Sequence, residues 1–263
     1  MNYRTERNST APLVLLTALA ALTISTGLWA QGAPAAAPTP QAVSPIDLTG
    51  YWVSVVTEDW RYRMIVADKN DYASVPLTLE GRNVVGMWDP AKDTAAGEQC
   101  KAFGAGGIMR IPGRLHITWD NPTTLKVETD SGKQTRLFHF DGEAPVGAVP
   151  SWQGYSAASW DGLAPRGPGG AAPAAKEGYL RAMTTNVRAG YLRTNGVPYS
   201  ANAQIEEYFD GFKEPNGDVW LVVTTVVTDP IYLVRPFIVS THFKKIPDAA
   251  GWSPTECHAN EPR

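Results

Sequence analysis

Four ionisable side chains lie where acid–base chemistry is possible, because each falls among aromatic or aliphatic residues of a strand-like run. They are Glu58, Arg136, His139 and Glu207. A carboxylate or imidazole shielded from water by aromatic neighbours can exchange a proton with a bound molecule, and an arginine can stabilise developing negative charge. The set predicts Glu58 or Glu207 as proton carrier, Arg136 as the charge-stabilising group and His139 as a second proton carrier.

The same residues also fit a structural role. A buried charge is costly unless it is paired, so Arg136 is expected to pair with Glu207 or with Glu58 inside the fold. In the run "TEDWRYRMIV", residues 57–66, period-two alternation places Glu58 on an aromatic face. We predict that Glu58 points inward and meets Arg136.

Aromatic side chains provide a second kind of candidate site. The chain contains 9 tryptophans, and aromatic residues that line a cavity suit flat, apolar or sugar-like ligands. The competing interpretation places the same residues in the core. The candidates for lining a ligand cavity are Trp60, Tyr62, Trp152, Tyr155 and Trp160.

Signals for cofactors, metals and nucleic acid are weak. The glycines of "GAGGIMR", which begins at Gly104, do not follow a strand or open a helix, so they do not predict a dinucleotide site. The strand-like histidines His116, His139 and His242 would bind zinc only by converging from distant positions. We predict no cofactor and no metal. A net charge of -3 gives no electrostatic basis for binding nucleic acid.

The two cysteines, Cys100 and Cys257, are predicted to form a disulfide that ties the C-terminal tail to the body of the protein. The alternative is a reactive thiol at Cys100. That alternative lacks a neighbouring histidine to lower the thiol pKa.

Residues 1–30 have the layout of a secretory signal peptide. Arg4 and Arg7 precede an apolar run over residues 12–26, and Ala30 lies at the expected cleavage site. The run is short for a membrane span, which favours a cleaved signal peptide. The alternative interpretation is a retained membrane anchor. The prediction is a periplasmic or secreted protein without stable membrane insertion. Residues 31–45, "QGAPAAAPTPQAVSP", are predicted to be a disordered or extended Ala/Pro-rich spacer.

From Ile46 onward the sequence is typical of β-structure. Short runs rich in Val, Ile, Thr and aromatic residues, among them residues 59–66, alternate with turn signals. They predict an all-β, lipocalin-like antiparallel barrel in one domain over residues 46–263. Helical spacing over residues 77–88, and over residues 93–103 with Asp93 as N-cap, predicts two short helices near one end. The low-complexity residues 163–176 are predicted to be a mobile loop.

The start of the first strand carries a short motif. Gly50-Tyr-Trp52 resembles the Gly-x-Trp signature of lipocalins, in which the tryptophan closes one end of the barrel and an arginine from a late strand covers it. Here the late strand offers Lys244 and Lys245 instead. From "DLTGYW" to "IEEYF" the chain also resembles a group of exported bacterial proteins to which no chemistry is assigned. This resemblance implies a β-rich fold and export.

Together these features predict a periplasmic or secreted binding protein that holds a small hydrophobic or aromatic molecule in the barrel. The alternative is a cofactor-independent lyase, isomerase or hydratase that uses the acid–base residues above. A third possibility is an envelope protein used only for contacts.

Overall fold

A computed structural model describes residues 37–162 and 178–259. The predicted signal peptide and the predicted loop at residues 163–176 lie outside the described residues. From Pro38 onward the described chain belongs to one compact unit. No helix in the described ranges is long and apolar enough to cross a membrane.

Nine strands close into a barrel, which confirms the predicted all-β, lipocalin-like architecture. Around the barrel their order is β1-β11-β10-β9-β6-β5-β4-β3-β2, and β7 and β8 form a separate hairpin. The strands are β1 Gly50–Val55, β2 Arg114–Asn121, β3 Thr124–Thr129, β4 Thr135–His139, β5 Tyr155–Asp161, β6 Tyr179–Thr185, β7 Gly190–Arg193, β8 Val197–Tyr199, β9 Gln204–Lys213, β10 Val219–Thr228 and β11 Phe237–Ile246.

The barrel is mixed rather than wholly antiparallel. Strands β4 and β5 pair in parallel, through Phe138 with Ser156 and His139 with Ala157, while the other neighbouring barrel strands are antiparallel. A parallel pair requires the chain to return to the starting end of the first strand, and residues 140–154 provide that crossover. The prediction of an antiparallel barrel is therefore wrong for this one pair.

The barrel lumen is filled by side chains. Inward-facing positions alternate along each strand, and their residues form one buried cluster that includes Trp52, Val127, Phe138, Phe209 and Phe243. The indole nitrogen of Trp52 donates to the carbonyl oxygen of Leu48 at 2.9 Å. The Lys245 ammonium lies 5.4 Å from the centre of the Trp52 ring, so a lysine of the last strand covers this tryptophan. These buried side chains occupy the lumen in which the sequence placed the ligand.

Two insertions lie at the end of the barrel where β1 ends and β11 begins. The first, between β1 and β2, contains helices α1 Trp60–Arg63, α2 Leu79–Met87 and α3 Pro90–Ala95. The second is the β7–β8 hairpin, between β6 and β9. Their apolar side chains form a second buried cluster with residues of β9, β10 and β11, so the insertions cover this end as predicted. The cluster includes Leu77, Val85, Leu192, Tyr199, Ile205, Val227 and Phe237.

Two local predictions in the first insertion are wrong. Residues 59–66 contain the single helical turn α1 and do not form a strand, because pairing with β11 ends at Val55 and a short apolar run fits either period. Helix α3 begins at Pro90 with Asp89 as N-cap, not Asp93. Proline is favoured at the first helical position, and Asp89 accepts from two backbone N–H groups there. The carboxylate of Asp93 instead accepts from Lys101 at 2.7 Å.

The chain ends are tied to the barrel on both sides. Cys100 and Cys257 form the predicted disulfide, with their Cα atoms 5.1 Å apart. At the other terminus, the carbonyl oxygen of Pro40 accepts from the Trp160 indole at 2.9 Å, and Gln41 N–H donates to the Pro122 carbonyl at 3.2 Å. Ordered contacts therefore begin before Ile46, where the sequence placed the start of the folded part.

Candidate functional site

The predicted acid–base residues do not come together. Arg136 and Glu207 form a bidentate pair in the lumen, with N–O distances of 2.9 and 2.5 Å and both side chains 0% exposed. This confirms the structural pairing of Arg136 with Glu207. Thr184 accepts a longer bond from Arg136 at 3.4 Å. The two charges are paired with each other in the buried core, so both are already used by a structural contact.

The prediction that Glu58 meets Arg136 is wrong. Glu58 follows the end of β1 and lies in the first insertion, where its carboxylate binds Arg63 and approaches His242 Nδ1 at 2.9 Å. His139 lies on the outer face of β4, stacked on Tyr155 with ring centres 4.5 Å apart. The acid–base alternative therefore stays a prediction whose four residues occupy three separate places.

The predicted aromatic residues also do not line one cavity. Trp60 is 64% exposed on the outside of α1. Trp160 is partly buried and packs against the barrel core, Trp152 carries the Arg188 guanidinium on its ring, and Tyr155 borders an open surface depression. Tyr62 alone of the five borders the cavity described next.

The three strand histidines lie apart as well. His116 approaches Glu128 at 3.1 Å, while His139 and His242 have the separate contacts given above. Within residues 37–162 and 178–259, no three His, Cys, Asp or Glu side chains are grouped as a metal site would need.

The most unusual site in the described chain is a cluster of three buried arginines between the two insertions. Arg63 ends α1, Arg110 ends a 3₁₀ turn over Ile108–Arg110, and Arg193 ends β7. Their exposures are only 2%, 5% and 4%. Below we refer to these three residues as the arginine cluster. They border one small cavity, whose other lining residues are Tyr62, Ala102, Gly107, Ile111, Leu192 and Thr194.

Two of the three arginines are partly satisfied. Arg63 donates from Nε to the carbonyl oxygen of Arg110 at 2.8 Å and from Nη1 to Glu58. Arg110 donates from Nη1 to Asp59 at 3.1 Å. In both side chains the Nη2 nitrogen is buried and has no hydrogen-bond partner. Each arginine therefore keeps one donor group free.

Arg193 makes no hydrogen bond within the part of the chain that the structure describes. Its Nε, Nη1 and Nη2 nitrogens are buried, and no group in the described residues accepts a hydrogen bond from them. The guanidinium lies 3.7 Å from the centre of the Tyr62 ring and 5.9 Å from that of Phe237. Aromatic contact holds the plane of this cation in place and leaves its N–H edges unused.

The electrostatics of the cluster favour an anion. Burial lowers the pKa of Arg193 to about 10, and the nearby charge of Arg110 adds to the effect. Burial also lowers the pKa values of Arg63 and Arg110, although Glu58 and Asp59 partly oppose that change. Three carboxylates act on the cluster, namely Glu58, Asp59 and Asp71, and Asp71 is also paired with Arg61. Arg193 makes a hydrogen bond to none of them. A guanidinium fork matches a carboxylate or phosphate group, so the cluster is suited to bind an oxoanion.

The sequence contained a signal for this site that the predictions did not use. Arg110 stands in "GGIMRIPG" and Arg193 in "GYLRTNG", runs of small and apolar residues without an acid. An arginine in such a run is a candidate for burial without an ion-pair partner. The pattern did not indicate that the two runs, more than 80 residues apart, meet across the insertions.

Comparisons of the chain with protein-family models, curated proteins and solved structures gave no match. The function is therefore argued from the site.

Proposed function

We propose that the protein binds a small organic acid, and that the arginine cluster holds the carboxylate or phosphate group of this ligand. A closed β-barrel is compatible with a ligand-binding protein. The observation that carries the proposal is Arg193, a buried cation with three nitrogens that lack a partner. A protein keeps such a group at a cost in stability, and a bound oxoanion would satisfy it.

The rest of the ligand is proposed to be hydrophobic or aromatic. The rings of Tyr62 and Phe237 flank the Arg193 guanidinium, and aromatic walls suit a flat or apolar group. The proposed ligand belongs to the class expected from the sequence. Its proposed position is the covered end of the barrel and not the lumen.

The proposed location is the periplasm or the extracellular space. The N-terminal sequence has the layout of a signal peptide, and the resemblance to exported bacterial proteins supports the same proposal. The Cys100–Cys257 disulfide is compatible with an oxidising compartment.

Calorimetric titration with phosphate and with benzoate tests this function. The natural chain is compared with Arg193→Met, and Arg235→Met, which removes an exposed arginine, serves as the control. Hydrogen bonds to charged groups contribute about 1.5–3 kcal/mol, so Arg193→Met should weaken binding by about 10- to 150-fold. Arg235→Met should leave it unchanged. Equal affinity in the Arg193→Met variant would overturn the proposal.

A further inference from the structure

The arginine cavity is too small for the proposed ligand as it stands. Its volume is about 10 Å³, which by the same measure is about the room that one water molecule needs. A carboxylate group has three heavy atoms and a phosphate group has five. A ligand can therefore enter only if one wall of the cavity moves.

Residues 57–65, which we term the cover segment, are the wall best able to move. They supply Tyr62 and Arg63 to the cavity. The outward side of the segment is weakly packed, because Trp60, Met64 and Ile65 are 64%, 50% and 50% exposed. A single helical turn has little stability of its own.

The opposite walls are anchored in the cores. Ala102 and Ile111 belong to the cluster that fills the barrel, and Leu192 belongs to the cluster beneath the insertions. Moving these walls would disrupt buried packing, whereas moving the cover segment breaks mainly polar contacts.

The cover segment brings its own carboxylate to the cluster. Asp59 binds Arg110 Nη1 at 3.1 Å. Its backbone is held in the left-handed region, with φ 51° and ψ 26°, and its side chain does not cap the helix that follows. This conformation costs a non-glycine residue free energy, although aspartate and asparagine tolerate it better than most. The ion pair with Arg110 is the compensating contact for Asp59 in the described structure.

We infer that Asp59 is a built-in competitor of the ligand: an entering oxoanion takes Arg110 from Asp59, and the cover segment then moves outward. The inference rests on the proposed function, since it describes how the same site is opened. Glu58 stays with Arg63 during this movement, because both residues lie on the segment, while the contact of Glu58 with His242 of β11 opens. Tyr62 moves with the segment and widens the gap beside Arg193, so the guanidinium becomes accessible while the ring stays a wall of the enlarged site.

The variant Asp59→Asn tests the competition. Asparagine keeps the size and the tolerance for left-handed backbone but loses the charge. Phosphate should bind this variant about three- to tenfold more tightly than the natural chain, because an ion pair no longer opposes it. Asp218→Asn is the control: it removes one partly exposed carboxylate, paired with Lys244 on the barrel, and makes the same change in net charge.

Amide hydrogen exchange tests the movement. In the natural chain, Tyr62 N–H donates to the Asp59 carbonyl at 2.8 Å and Met64 N–H donates to the Trp60 carbonyl at 2.8 Å. Saturating phosphate should speed exchange at both amides, and it should have no such effect in Arg193→Met.

The outcomes separate this inference from the proposed function. If phosphate binding depends on Arg193 while Asp59→Asn and Asp218→Asn bind alike, the site exists and Asp59 is not a competitor. Slower exchange at Tyr62 and Met64 with phosphate bound would show that the segment is a fixed wall. If phosphate and benzoate bind no variant in an Arg193-dependent way, the proposed function fails, and the cover segment has no ligand to admit.

Discussion

Replacing Arg193 with methionine should make the protein more stable in anion-free buffer, although it removes the proposed ligand site. Arg193 is 4% exposed, and its pKa of about 10 lies roughly 2.5 pH units below that of an ordinary arginine. At about 1.4 kcal/mol per pH unit, keeping the folded side chain protonated at neutral pH costs about 3 kcal/mol. The contact with the Tyr62 ring returns about 0.5–2 kcal/mol of this. Methionine retains most of the apolar stem, so the expected net gain is about 1–3 kcal/mol.

The pH dependence of this gain has a definite sign. The pKa of Arg193 is depressed on folding, so between pH 10 and the ordinary arginine pKa the unfolded chain binds more protons than the folded one. The natural chain therefore gains stability as pH rises through this window. The advantage of Arg193→Met should be full at pH 7 and should shrink above pH 10.

Urea unfolding of both proteins in a buffer without oxoanions measures the difference, and Arg136→Met is the matched control. Both arginines are buried, but Arg136 is paired with a fully buried Glu207. Removing one partner of a buried pair leaves an uncompensated charge, so Arg136→Met should lose about 3–5 kcal/mol. The two substitutions should therefore change stability in opposite directions. If Arg193→Met lowers the free energy of unfolding by about 2 kcal/mol or more, the view that the Arg193 guanidinium is unpaired is refuted.

Two further predictions concern pH and the disulfide. Sulfate keeps its charge between pH 8 and 11, so a change in its affinity over this range reports the protein. The affinity should be constant up to about pH 9 and should fall as Arg193 loses its proton near its pKa of about 10. A flat profile to pH 11 in a calorimetric titration at constant ionic strength would contradict the role of Arg193. Replacing both Cys100 and Cys257 with serine should cost about 4–5 kcal/mol in urea unfolding, because the bridge closes a loop with a sequence separation of 157 residues. A loss below about 1 kcal/mol would show that the unbridged chain is already restricted by other structure.

The barrel was predictable from the sequence because its strands alternate in burial. The runs "TLKVET" and "YLRAMTT" coincide with β3 and β6, and in β6 every second side chain is buried. The same alternation identified Arg136 and Glu207 as charges on inward faces. Inward charges must pair, and both Glu207 and Glu58 were candidate partners of Arg136; the choice of Glu58 was wrong because that residue lies beyond the end of β1.

The candidate site was not predictable in the same way. Alternation also fitted "DWRYRMIV", but tertiary contacts decide between a strand and a helical turn in so short a run. Arg63, Arg110 and Arg193 belong to three segments whose meeting depends on how the insertions pack. Local periodicity contains no information about that packing.

The closure of the barrel has a consequence for the order in which the chain can assemble. Strand β1 pairs with β11, with Tyr51 opposite Ile246 and Val55 opposite His242. One edge of β1 therefore stays unpaired until β11 has been synthesised. Contacts this distant in sequence form slowly, and until they form the edges of β1 and β10 offer unpaired backbone groups to other chains. A chain that ends before Phe237 should therefore aggregate, even though most of its strands already have their neighbours.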